Sequence, residues 1–170
     1  MKRRILSGII AAMCLLSASC GSKEAETTVH EEAAEASVKT ITAAPSEITA
    51  AVLAEITINS ALEKGMDDMS IYFAELDTSV LEDVSYYMCA SGAYPDEIAV
   101  FKFNTAEAAE QNKAAVQTRL DKQISTYETY TPDEFYKLED AVLTVKGNYI
   151  FYFVTENNSR ASEIMESFVS

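Results

Sequence analysis

The thiol of Cys20 has the setting that most plainly spells a covalent reaction. It closes the run Leu15-Leu16-Ser17-Ala18-Ser19-Cys20, behind an apolar stretch over residues 5–16 and the cations Lys2, Arg3 and Arg4. A basic start, a short apolar segment and small residues before a cysteine make the layout of a bacterial lipoprotein signal. On this reading a peptidase cuts ahead of Cys20, residues 1–19 leave as the signal peptide, and the cysteine carries the lipid (palmitate). The apolar stretch falls short of the ~18 residues that a bilayer-spanning helix needs, and no later stretch reaches that length. The expected location is the outer face of the cytoplasmic membrane.

Three further groups could do chemistry. Asp96-Glu97 follows the turn Ser91-Gly92-Ala93-Tyr94-Pro95. There the two acids could hold a cation or ligand, or serve as edge-strand charge that blocks aggregation. Asp67-Asp68 offers oxygens to a hard cation, but lacks the alternate spacing and closing Glu of a calcium loop. The chain has nine Tyr and no Trp, and Tyr127, Tyr130 and Tyr136 crowd the junction of two predicted helices. Flat rings with polar tips suit sugar or peptide contact, and equally suit core and rim packing. The candidate ligand-binding set is Tyr94, Asp96, Glu97, Tyr127, Tyr130 and Tyr136.

Other catalytic patterns are missing. There is no phosphate-cradling glycine loop, no CxxC, no HExxH and no Gly-x-Ser-x-Gly. The one histidine, His30, has no partner near it in sequence. No catalytic residue, metal ligand or cofactor is therefore assigned. An enzyme built on paired carboxylates stays open as an alternative, as does a cation or small-ligand binder.

Charge narrows the partners. The net charge is −14 over 170 residues. Every Asp and Glu lies beyond residue 19, so loss of the signal leaves the remainder more acidic still. Such a surface repels nucleic acid. Of the three cysteines, Cys14 leaves with the signal and Cys20 is the lipid site. Cys89 then stands alone in a strand-like run, so no internal disulfide is expected and a buried thiol is.

The elements that must position these groups begin after residue 44. Residues 20–44 hold the lipidated Cys and a Glu-, Ala-, Thr- and Ser-rich tether too poor in large apolar residues to offset its ordering entropy. Residues 45–170 read as one domain. Pro45-Ser46 opens a helix with Ile48, Val52, Ile56 and Leu62 near helical spacing, and Gly65 ends it. Residues 66–83 read as a turn, a short helix and a loop. Residues 84–90 and 97–103 form a hairpin, with Ile98 and Val100 on one face and Ala99, Phe101 and Phe103 on the other.

Asn104 then caps a long helix to about Tyr127, with Glu107 closing a capping box. Its inward stripe is Ala109, Val116, Leu120, Ile124 and Tyr127; Glu110, Lys113, Gln117, Arg119 and Lys122 face water. Thr131 caps a short helix with Pro132 in its first position. Residues 142–146 and 149–155 make a second hairpin about Gly147-Asn148. A last helix starts near Asn158, with Ala161, Ile164, Met165 and Phe168 on one face. The expected fold is α+β: a two-layer sandwich with a four-stranded antiparallel sheet from two hairpins and helices on one face, in the order α-ββ-α-(short α)-ββ-α.

The run Tyr94-Pro95-Asp96-Glu97-Ile98-Ala99-Val100-Phe101-Lys102 resembles a signature of DUF4358, a family of small lipoproteins from Firmicutes catalogued as a domain of unknown function. Ser125 to Tyr130, Pro132-Asp133-Glu134-Phe135-Tyr136 and the hairpin from Val142 to Tyr149 are similar to later segments of that family. The resemblance implies an exported, lipid-anchored protein of Gram-positive type, and an accessory role in modification of envelope polymers such as O-acylation. It implies no activity.

The leading expectation is a membrane-tethered, non-catalytic binding or accessory module. Its partners would be the membrane, through lipid on Cys20, and an envelope protein or cell-wall polymer. A carboxylate-based hydrolase or transferase acting on envelope polymers is the alternative.

Overall fold

The structure, a computed structural model, describes residues 40–170. The signal, the lipid site Cys20, His30 and most of the tether lie outside the described residues.

Helix α1 (Pro45–Glu55) starts on Pro45, which has no N–H to orphan, while Glu47 Oε2 accepts the Ala44 N–H at 2.8 Å. It buries Ile48 and Val52. Leu62 does not extend this stripe: it belongs to strand β1 (Ala61–Lys64) and is exposed. After a 3₁₀ turn at Met66–Asp68 comes the single turn α2 (Met69–Tyr72), then a second 3₁₀ turn at Thr78–Val80. Turn, short helix and loop are thus the content of residues 66–80, whereas residues 81–83 already belong to the next strand. Residues 66–80 contribute Phe73, whose ring meets Tyr86, Phe101 and Tyr152 edge-on at 5.3, 5.0 and 6.3 Å.

Strands β2 (Leu81–Cys89) and β3 (Glu97–Phe103) pair antiparallel, as do β4 (Val142–Lys146) and β5 (Tyr149–Val154). β3 also pairs β5, and β1 adds to β2, so the sheet is five-stranded in the order β1-β2-β3-β5-β4. The expectation of four strands missed β1 because its four residues carry no alternation: three are exposed and none is buried. Gly147 sits at φ +55 and Asn148 has no positive φ, the pattern of a II′ hairpin turn.

Helices cover both faces, not one. Helix α3 (Ala106–Tyr130) packs its stripe of Ala109, Val116, Leu120 and Tyr127 with Ala99, Phe101 and Phe103, joined by Met69 of α2 and Leu138 of α4 (Tyr136–Glu139). On the opposite face, Ile98 and Val100 meet α1 and Ala161, Ile164 and Met165 of α5 (Asn158–Glu166). A two-layer sandwich would leave one side of β3 and β5 wet. Every residue of β5 is buried and β3 leaves only Lys102 half-buried, so both faces need cover, and a third layer follows.

Two caps differ from expectation. Thr105, not Asn104, starts α3, its side chain accepting the Ala108 N–H at 3.1 Å. Thr131 makes no capping bond, and its Oγ1 is buried without a partner among the described residues.

Candidate functional site

Asp96 and Glu97 stand at the entry to β3, the central strand, and are 2 % and 1 % exposed. The edge-strand reading of this pair is therefore corrected. Consecutive residues leave a strand in opposite directions, and these two carboxylates reach different helices. Glu97 turns toward α3. Its Oε1 accepts from Tyr86 Oη and Gln123 Nε2, each at 2.9 Å, and from Arg119 Nη2; its Oε2 accepts from Arg119 Nε at 3.2 Å. Arg119, its side chain 10 % exposed, is thus an internal partner and not part of the polar surface. Its guanidinium also lies 5.7 Å from the Tyr72 ring centre.

A buried ion pair survives only when further hydrogen bonds satisfy the remaining lone pairs. Tyr86 and Gln123 supply them. Burial works against the Arg119 charge, but Glu97 outweighs it and holds the guanidinium more firmly protonated than usual. Burial first, then the Glu97 carboxylate, pushes the Tyr86 hydroxyl far above its ordinary value, and does the same to Tyr152. The Tyr152 hydroxyl is sealed off, with no hydrogen-bond partner at ordinary distance and angle among the described residues.

Asp96 takes Lys137 of α4, whose Nζ donates to Oδ1 at 3.1 Å and Oδ2 at 2.9 Å, and which also meets Glu134 Oε2 at 2.7 Å. One ammonium serves two carboxylates. Burial lifts Asp96 above the usual carboxylate range, and Lys137 offsets this only in part. Burial opposes the Lys137 charge, yet Glu134 and Asp96 together raise it.

The ring centres of Tyr94 and Tyr136 lie 5.5 and 6.0 Å from this ammonium. Tyr127 Oη donates to the carbonyls of Gly92 at 2.9 Å and Tyr94 at 3.0 Å, which fastens the β2–β3 connection to α3. Asn158 closes the group: its Nδ2 donates to the Lys137 carbonyl and its Oδ1 accepts the Thr155 N–H, both at 2.8 Å.

The structure therefore gathers Tyr94, Asp96 and Tyr136 about Lys137, with Tyr127 bonded to the Tyr94 carbonyl and Glu97 one residue away on the other side of the strand. Tyr130, on the last turn of α3, is 82 % exposed and makes none of these contacts. Sequence reasoning missed Lys137, Arg119, Gln123, Tyr86 and Tyr152. A signal existed for two: Arg119 and Gln123 are spaced i, i+4 beside the apolar stripe of α3. Cys89 is buried as expected, with its Sγ 3.2 Å from Ser91 Oγ.

Beside this group lies an open cavity of about 150 Å³, lined by Tyr136, Asp140, Thr155, Glu156, Asn157, Asn158 and Ser159. A second, of about 320 Å³, lies at the opposite end of β3, between Thr40-Ile41, Asn104 to Ala106 and Gly147-Asn148. Among the described residues no group of three or more His, Cys, Asp or Glu side chains could hold a metal ion, and no helix is long and apolar enough to cross a membrane.

Fold and site define a small α+β unit whose central strand is pinned at its start by two buried ion pairs. A family model described as a domain of unknown function, DUF4358, matches residues 55–155, from the last residue of α1 to the end of β5. The chain belongs to this family. No curated protein and no solved structure matches it. The matched stretch holds both ion pairs and the whole sheet; most of α1 and all of α5 fall outside it.

Proposed function

We propose that this chain is an exported lipoprotein, anchored through Cys20 to the outer face of the cytoplasmic membrane, whose folded unit is a non-catalytic binding or accessory module of the cell envelope. Its partner is an envelope protein or cell-wall polymer. One observation carries most of the reading: the tyrosine-rich group around Lys137 and the point where the tether enters lie at opposite ends of the sheet. Thr40 lines the cavity beside Asn104 and Asn148, whereas Tyr94 and Asp96 precede β3. The strand between them spans about 20 Å. A tether fixed at one end leaves the other end free to meet a partner.

The state of the acids favours binding over hydrolysis. A carboxylate pair that attacks a glycosidic bond needs one free base or nucleophile and one acid. Asp96 and Glu97 instead each spend their charge on an internal cation.

Recovery of the anchored full chain from detergent-solubilised membranes, with co-purifying proteins identified by mass spectrometry, tests this. A stoichiometric envelope partner is expected. Repeated recovery of none, with the purified chain also ignoring wall polymers, would sink the proposal.

A further inference from the structure

The sheet ends in two unpaired edges among the described residues, β1 and β4, and they are guarded unequally. Native edges are blunted by short length, charge, proline or a bulge. β1 has four residues, follows Ser60 at φ 52, carries Glu63 and Lys64, and runs on toward Asp67-Asp68. β4 has five residues, Val142-Leu143-Thr144-Val145-Lys146, all half-buried. Its one charge, Lys146, is drawn to Glu166 at 2.6 Å. None of the chain's 27 acids falls between Ala141 and Tyr149. In a chain of net charge −14, this edge carries no acid of its own to repel a second copy.

The hairpin fixes which backbone groups the β4 edge presents. Lys146 and Tyr149 close the two-residue turn, so they exchange both of their hydrogen bonds. By alternation Thr144 and Val142 also turn their N–H and C=O inward, to Phe151 and Phe153. Leu143 and Val145 turn theirs outward, where no described backbone group bonds them.

Only outward groups can pair, so a second copy meets β4 in few antiparallel registers. The register that uses all five residues sets Leu143 against Val145 of the copy and Val145 against its Leu143. Thr144 then meets its own copy on a two-fold axis, and Val142 meets Lys146. These are apolar, Thr–Thr and apolar–Lys pairs, and none opposes like charges. Lys146 also arrives at the end of the copy's strand that Glu139 and Asp140 precede, so the edge's cation meets acids.

We infer that the outer edge of β4 is a dimer interface, pairing with β4 of a second copy about an axis at Thr144 and joining two sheets into one. A five-residue seam is small against a standard interface, so the dimer is reversible. The inference goes beyond the binding-module reading and does not depend on it.

Thr144→Cys in the purified, concentrated full chain is the test. Across a non-hydrogen-bonded antiparallel pair the Cα atoms lie about 4.5 Å apart, close enough for a disulfide. Mild oxidation should give several-fold more covalent dimer than in the wild type, which carries the same Cys20 and Cys89. Leu143→Cys, Val145→Cys and, on the other edge, Glu63→Cys should stay near the wild-type level. Val145→Pro removes an outward N–H that the fold does not use. It should return Thr144→Cys to that level with circular dichroism unchanged. Where the proline variant fails to fold, Thr144→Lys serves: like charges on the axis should shift the sedimenting species from dimer to monomer. Equal crosslinking at residues 144 and 63, or a wild type that sediments as a monomer at every concentration, overturns the inference. So does a Thr144→Cys adduct with a different protein, because the edge would then serve an unlike strand. None of these outcomes decides whether the membrane experiment recovers an envelope partner.

Discussion

Lys137 Nζ lies 2.9 Å from Asp96 Oδ2, and both groups are nearly sealed from solvent. This contact ties α4 to the residue that leads into β3. One residue on, Arg119 ties α3 to Glu97. Neighbouring carboxylates thus clamp the central strand to two helices. The first clamp is shared with Glu134 and the second is backed by Tyr86 and Gln123. The two clamps therefore differ in what happens when a cation is removed.

Arg119→Met should be the costlier lesion. It leaves Glu97 buried with only two neutral donors, and stranding one member of a buried pair costs about 3–5 kcal/mol. Arg119→Lys should rescue little, because an ammonium cannot reproduce the two-pronged contact. Adding Glu97→Gln to Arg119→Met should recover much of the loss, since no charge is then stranded. Urea midpoints at constant slope give the measurement; an unchanged midpoint in Arg119→Met would show that the pair contributes nothing.

Alkaline pH should unfold the protein cooperatively. Tyr86, Tyr152, Tyr127 and Tyr149 are all raised, burial being the first cause of each. Lys137 is raised against burial by its two carboxylates. For a raised folded value the unfolded chain loses its proton first, so it binds fewer protons and stability falls with pH. The contribution is complete below the unfolded values of ~10 to 10.4 and is lost as pH climbs past them. Tyrosinate absorbance should show some tyrosines ionising in the folded state and the remainder only together with loss of circular dichroism. Nine tyrosines titrating smoothly in the folded protein would contradict this.

Much of this frame was legible in the residues. Alternation in β3 put Ile98 and Val100 opposite Ala99, Phe101 and Phe103, and the two cores are divided in that way. Gly147-Asn148 marked its hairpin, and Ala161, Ile164 and Met165 marked α5. The losses share a cause: sequence patterns describe one element against an unspecified core. β1 has no pattern because it is an exposed edge that only its pairing with β2 defines. Arg119 reads as surface because a helical wheel cannot register a carboxylate waiting on a strand 22 residues away. Likewise Asp96-Glu97 reads as edge charge until β5 is seen to pair β3 on its other side.

Tyr127→Phe should loosen one loop without disturbing the core. The hydroxyl is the only link from α3 to the carbonyls of Gly92 and Tyr94 among the described residues. Its loss should cost about 1–2 kcal/mol. Amide exchange should quicken over residues 90–96 and stay unchanged in α5, which lies on the other face of the sheet. Uniform acceleration throughout the chain would mean that the bond supports the whole fold instead.

Cys20→Ala tests the anchor directly. The chain carries a net charge of −14, so its surface has no attraction for anionic head groups, and none of its described helices can cross a bilayer. On the lipoprotein reading, retention then depends on acyl chains, at about 0.8 kcal/mol per buried CH₂. Removing their attachment point should shift the protein from the membrane fraction to the medium, or leave it unprocessed at higher mass. Labelling with a palmitate analogue should mark the wild type and not Cys20→Ala. A variant that is processed and retained like the wild type would show that some other contact holds the chain at the membrane.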